Sequence, residues 1–250
     1  MAFTKWETFL ENHIEGFFNK KFGSALEPIE VEKKLEKEIA KSKKKDKKGS
    51  GEWLLPNDYT ISMNEEDCHH LSSQRFLDEL HVLVEKQAIL LDCFMDGRLS
   101  VAIRKDPTLS LGLCRVTAGF SDMVQRVALA VKEQHTIVLQ QPSFRPPLNL
   151  PTEYRIASLT VLKGADIDSY LEFGEKKIFL GRRERSDFIL TDPNASRVHA
   201  SIRYERHRHF LQDEHSTNGT LLNDMPVHEA CLRQGDKIQI GNSVLRYEVI

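Results

Sequence analysis

Apolar residues recur along this chain with two different periods, and the change between them divides it. From Phe3 through Trp6, Leu10, Ile14 and Phe17 the spacing is three and four, the stripe of one helix face. A second helix is predicted to start at Pro28, where a missing N–H costs nothing, and to carry Val31, Leu35 and Ile39. Tyr59, Ile61 and Met63 alternate with polar residues, which predicts a half-buried strand. Asn64 then stands as an N-cap, with Glu65, Glu66 and Asp67 favouring the positive end of a helix that presents Phe76, Leu80 and Leu83 and ends near Ala88. Two more strands are predicted: RLSVAIRK, with Leu99, Val101 and Ile103 inward, and LGLCRVTAGF. SDMVQRVALAVKEQ reads as a last helix or strand. The result is an α+β unit over roughly 55–140, preceded by two helices.

The C-terminal hundred residues lack helical periodicity. Short apolar runs (IASLTVL, KIFLG, DFIL, HASIRY, HFLQD, GTLLN, KIQI, SVLRYEVI) are separated by the turn signals KGAD, TDPN, STNG, RQGD and IGN. Short strands with turns every eight to twelve residues predict a β-sandwich. Between the halves, Pro142, Pro146, Pro147 and Pro151 concentrate four of nine prolines in a stretch that favours extended backbone. This gives three parts: an α+β domain over 1–140 with a basic connector at 41–51, a Pro-rich linker over 141–154, and an all-β domain over 155–250.

Composition narrows the function. With 250 residues, 29% of them charged and a formal net charge of -2, there is no global bias toward nucleic acid or anionic membrane. Nine lysines against three acids between Lys33 and Lys48 form a local basic run. It has no aromatic interleaving for base stacking and is expected to be a solvated connector; binding of RNA or anionic lipid through Lys41–Lys48 is the alternative. Cys68, Cys93, Cys114 and Cys231 are widely spaced among apolar residues, which predicts reduced thiols, no zinc site and a cytosolic setting. The first residues lack a basic-then-apolar leader, and no apolar run approaches the roughly 18 residues of a membrane span. A cytoplasmic protein is expected, recruited to a membrane through a partner. Nothing calls for a cofactor or metal. His69 and His70 are adjacent on a helix and poorly share an ion, and His207 and His209 alternate with arginines on an expected exposed strand.

Three turn segments concentrate phosphate-binding side chains: LGRRERSD, with Arg182 after Gly181; NASRVHAS, residues 194–201; and EHSTNGTLLND, with Ser216, Thr217 and Asn218 before Gly219. A phosphothreonine carries about -1.5 to -2 charges and three acceptor oxygens. Arginine supplies a permanently charged planar fork for two of them, and hydroxyls add short donors. A nucleophilic reading of Ser196 with His199 as base finds no GxSxG elbow, no acidic orienter and no glycine-rich oxyanion loop.

In order and spacing these segments resemble the forkhead-associated (FHA) domain over about residues 155–250. The resemblance implies a β-sandwich that binds phosphothreonine peptides with loops at one end and performs no catalysis. It assigns the phosphate to Arg182 and Ser196 with Thr217 beside them, the peptide main chain to Asn218, and phosphate or peptide to Arg197. Asn194 would help select the side chain three residues after the phosphothreonine. Gly181, His199, Gly219 and Asn223 would support the loops, His199 by pinning loop backbone. The family's frequent Asn-Gly turn stands here as Asn223-Asp224, which still accepts positive φ. EGFFNKKF, LEPIEVEKKLEKE and WLLPNDYTISMNEED resemble the N-terminal region of bacterial FhaA-like proteins. That implies an adaptor for proteins phosphorylated by membrane-bound Ser/Thr kinases, in cell-wall synthesis or division.

Overall fold

A computed structural model describes residues 25–46, 51–121 and 154–250. The helix expected over 3–17, the element expected after Ser121 and the proline stretch lie outside them. The described residues fall into two compact units. The first comprises 25–43, 56–83 and 98–121, and the second 44–46, 51–55, 84–97 and 154–250.

In the first unit, α1 (Pro28–Ser42) buries Val31, Leu35 and Ile39, one residue per turn on a single face. β3 (Asp58–Met63) is the central strand of a three-stranded sheet, parallel to β5 (Ser100–Lys105) and antiparallel to β6 (Cys114–Gly119). Its alternation is clean, with Tyr59, Ile61 and Met63 buried. Asn64 caps α2 (Glu65–Leu71) by accepting from the Asp67 N–H at 2.9 Å. The single helix expected after Asn64 is two: the chain breaks at Ser72, and Ser73 Oγ accepts from the Phe76 N–H to start α3 (Gln74–Leu90). Asp67 is fully buried and holds two backbone N–H groups, those of Leu26 and Gly112, at 2.8 Å each. Such pairing is what makes a buried carboxylate tolerable.

The second unit is built on two packed sheets. The six-stranded one runs β14-β13-β16-β17-β7-β8, and the five-stranded one β10-β9-β11-β12-β15. Their inner faces meet in one core that includes Leu159, Leu180, Ile202, Leu211, Ile238, Leu245 and Tyr247, with Ile89 from the end of α3. The expected runs became β7 (Ala157–Lys163), β9 (Ile178–Gly181), β10 (Phe188–Ile189), β11 (Ala200–Glu205), β12 (Arg208–Asp213), β13 (Thr220–Leu222), β16 (Lys237–Ile240) and β17 (Ser243–Val249). Three further strands were not legible: β8 (Tyr170–Phe173), β14 (Met225–Val227) and β15 (Glu229–Cys231). β14 and β15 bury no residue fully and β8 only its last, Phe173, so their sequences carry little of the buried alternation that marks a strand.

Residues of the basic stretch are also structured. Lys44–Lys45 form β1, antiparallel to β2 (Trp53–Leu55), and β2 pairs in parallel with β4 (Phe94–Met95). The RHRHF segment corrects the expectation of an exposed strand. Arg206 and His207, both at positive φ, make the turn between β11 and β12, and Arg208 and His209 are fully buried. Burial is possible because each has partners: Arg208 an ion pair with Asp92 and the Leu232 carbonyl, His209 the Tyr247 hydroxyl and the Gly174 carbonyl.

Candidate phosphopeptide-binding groove

Strand register places the three candidate loops side by side. Ala200 lies opposite both Leu180 on β9 and Asp213 on β12, so the loops after β9, before β11 and after β12 leave the same end of the five-stranded sheet. They enclose an open groove of roughly 800 Å³ lined by Arg182, Arg183, Asn194, Ser196, Arg197, Thr217 and Asn218, together with Pro193, Ala195, Val198 and His215.

The first two loops run against each other as backbone. The Arg182 and Arg183 N–H groups donate to the carbonyls of Ser196 and Arg197, each at 3.0 Å. Arg182 Nε donates to the Ala195 carbonyl at 3.3 Å, which orients the guanidinium, and among the described residues its two terminal nitrogens have no hydrogen-bond partner. Arg182, Arg183, Arg185 and Arg197 are exposed, and none has a carboxylate partner among the described residues. The second and third loops meet through side chains. Ser196 Oγ accepts from the Thr217 N–H at 3.0 Å and donates to Thr217 Oγ1 at 3.4 Å. Asn218 Nδ2 donates to the Asn194 carbonyl at 2.9 Å.

Beneath the loops, His199 is fully buried and bridges two of them. Its Nδ1 accepts from the Ser196 N–H at 3.0 Å, and its Nε2 meets the Gly219 carbonyl at 3.1 Å. One donor and one acceptor suit the neutral ring, and burial holds the His199 pKa below the ordinary value. Gly219 has φ +77, the left-handed region that favours glycine. Asn223 and Asp224, also at positive φ, turn β13 into β14; Asn223 does not line the groove and instead binds Asp236 and the Lys237 N–H at 2.9 and 3.0 Å.

Three contributors escaped the sequence reading. Asp213 accepts from the Ser216 N–H at 3.0 Å and from the Ser216 and Thr220 hydroxyls at 2.6 Å each, which folds the third loop. Asp192 is buried and accepts from the Asn194 and Asn242 N–H groups and the Ser243 hydroxyl, fixing the entry to the second loop. Burial alone would raise both carboxyl pKa values, and these donors bring them below the ordinary range. An aspartate two or three residues before a turn serine or asparagine is the signal that could have found them. His215, exposed at positive φ on the groove wall, carried no such signal.

Residues 3–117 match the FhaA N-terminal domain family and residues 178–241 the FHA domain family. The glycogen accumulation regulator GarA of Mycobacterium tuberculosis is 38% identical over 85 residues, 34% of this chain and 52% of that protein. The chain thus spans about half the length of that relative. The oxoglutarate dehydrogenase inhibitor of Corynebacterium glutamicum is 31% identical over 111 residues, 44% of this chain and 76% of that protein. The FHA domain-containing protein FhaA of M. tuberculosis is 42% identical over 64 residues, 26% of this chain and 12% of that protein. Among solved structures, an FHA domain studied for phosphothreonine-dependent interactions is 32% identical, covering 37% of this chain and 95% of that one at a TM-score of 0.35. The chain belongs to the FHA-domain family and carries an FhaA-type N-terminal domain ahead of its FHA domain.

Proposed function

We propose that this chain is a non-enzymatic adaptor that binds phosphothreonine peptides, acting in bacterial Ser/Thr kinase signalling. The observation that carries the reading is the convergence in one groove of Arg182, Ser196, Arg197, Thr217 and Asn218, with no carboxylate paired to the arginines among the described residues. A phosphate dianion supplies the charge and acceptor oxygens that such a groove lacks. In this reading Arg182 and Ser196 hold the phosphate with Thr217 beside them, Arg197 contacts phosphate or peptide, Asn218 holds the peptide main chain, and Asn194 biases the position three residues on. Gly181, His199 and Gly219 keep the loops apposed, and Asn223 supports the strand that leaves the third loop.

Geometry supports the non-enzymatic part. Both His199 nitrogens are engaged with backbone groups, and Ser196 Oγ faces Thr217. Among the described residues no base meets the serine hydroxyl. The names of two relatives, a glycogen accumulation regulator and an oxoglutarate dehydrogenase inhibitor, also favour a regulator over a catalyst. The proposal extends to the division at 1–140, 141–154 and 155–250, to a cytoplasmic location, and to partners phosphorylated by membrane kinases in cell-wall synthesis or division. No described helix is long and apolar enough to cross a membrane.

Charge-assisted hydrogen bonds contribute about 1.5–3 kcal/mol each, so a few of them give roughly micromolar affinity once peptide ordering is subtracted. Titration calorimetry against matched phosphothreonine, phosphoserine and unphosphorylated peptides tests the reading. Binding of the first, weaker binding of the second and none of the third is expected, and Arg182→Ala is expected to abolish binding without moving the melting temperature. Equal affinity for all three peptides would overturn it.

A further inference from the structure

Three histidines of the second unit differ in what their ring nitrogens face, and the difference assigns a proton. His199 meets one donor and one carbonyl. His209 meets the Tyr247 hydroxyl, which can donate, and the Gly174 carbonyl. Each is satisfied as a neutral ring. His207, at the turn between β11 and β12, meets acceptors on both sides: the Glu85 carboxylate at 2.8 Å from Nδ1 and the Gly97 carbonyl at 2.8 Å from Nε2. Two acceptors require N–H on both nitrogens, which is the imidazolium.

The same turn is gripped along its length by residues 84–97. The Met95 N–H donates to the Arg206 carbonyl at 3.2 Å. Arg206 pairs with Asp96 at 2.8 Å and Glu52 at 3.0 Å, and its guanidinium lies 4.7 Å from the centre of the Phe94 ring. The Tyr204 hydroxyl donates to Glu85. Behind the turn, buried Arg208 takes Asp92 as its counter-ion at 2.8 Å. Thus a basic hairpin tip meets a segment that supplies opposite charges from the same chain. Register sets this contact apart from the groove. Glu205 pairs with Arg208 at one end of the strand pair and Ala200 with Asp213 at the other, five steps or roughly 17 Å away.

We propose that the β11–β12 hairpin tip is a second recognition surface whose ligand is the chain's own acidic–aromatic segment 84–97, fastened by a proton on His207 and leaving the groove free. The charged and titratable groups around His207 agree in sign. Glu85 faces it from α3, and Glu175 adds attraction from the loop before β9, while the Tyr204 ring lies 6.2 Å away on β11. Arg206 and Arg208 are neutralised by Asp96, Glu52 and Asp92. Burial opposes the charged ring, but the acceptors outweigh it and the His207 pKa is raised. The latch is therefore complete below the ordinary histidine value of about 6.5 and is lost as pH rises through the raised one.

The test is a nuclear magnetic resonance titration of the full chain, following the His207 ring nitrogens and amide exchange at Met95. Both nitrogens are expected to be protonated at pH 6.5, with a midpoint above the ordinary value. Met95 protection, corrected for intrinsic exchange, should fall through that midpoint. E85Q should move the midpoint below 6.5 and expose Met95, while β7 and β17 amides stay protected. H207Q should leave Met95 protection independent of pH. A His207 midpoint at or below the ordinary value, or Met95 protection that keeps its pH dependence in H207Q, would overturn the proposal.

Discussion

Gly181 is glycine because of what approaches it rather than because of its own dihedrals. A Cβ at this position would lie 2.6 Å from the Arg197 carbonyl oxygen and 3.0 Å from the His199 nitrogen and the Ser196 oxygen. Those are the atoms through which the first two loops run together, so the loops must part to admit a methyl group. Gly181→Ala is expected to destabilise by about 1–3 kcal/mol, the usual cost of overpacking, read as a lowered denaturant midpoint at unchanged slope. The sequence placed Gly181 beside Arg182, but the distance to Arg197 belongs to the folded chain. His209 makes a similar point. Its burial among Phe173, Tyr204 and Tyr247 pushes its pKa down to about 4, whereas in sequence it is one of two histidines in RHRHF and reads as exposed.

Among elements, β12 shows how far local pattern carries. Its alternation was legible, as HFLQD, and its pairing with β11 follows from a two-residue turn. What precedes it was not legible, because the fate of Arg208 depends on Asp92, more than a hundred positions earlier. Arg208 is fully buried, its guanidinium lies 5.3 Å from the centre of the Phe94 ring, and Arg233 also reaches Asp92, at 2.9 Å. Removing the counter-ion leaves a buried cation with one carbonyl. Asp92→Asn keeps a residue tolerant of the observed φ of 53 and is expected to cost roughly 3 kcal/mol. That is the low end for a broken buried pair, because Asp92 is itself half in solvent. Chemical denaturation of the full chain reads it, and a change within a few tenths of a kcal/mol would mean the pair is solvent-screened.

For the whole molecule, pH acts through groups that pull in opposite directions. His209 is neutral when folded and must charge when unfolded, so its contribution is present above about pH 6.5 and is lost as pH falls toward 4. The loss is on the order of 3 kcal/mol by pH 4. Asp192 and Asp213, with lowered values, add a further loss that begins only once pH falls through the ordinary carboxylate range. His207 acts the other way, its contribution vanishing as pH rises past its raised value. Stability is therefore expected to decline below pH 6.5, and His209→Gln should flatten the stretch between 6.5 and 4. Urea midpoints taken at half-unit steps check this. A curve for His209→Gln parallel to the parent's would remove His209 from the account.

By itself the sequence determined the period change that separates α+β from all-β, the apolar faces of α1 and β3, and the order of three donor-rich turns. These depend on residue type and short-range spacing, which survive without coordinates. Strands β8, β14 and β15 escaped because they bury almost no side chain and so impose little pattern. Asp192 and Asp213 escaped as well, because a carboxylate organises a loop only when folding points it at free N–H and hydroxyl donors. The protonation of the three histidines was decided by tertiary structure alone. Each ring takes the charge that its two neighbours' lone pairs and protons allow, and each has at least one neighbour twenty or more positions away along the chain.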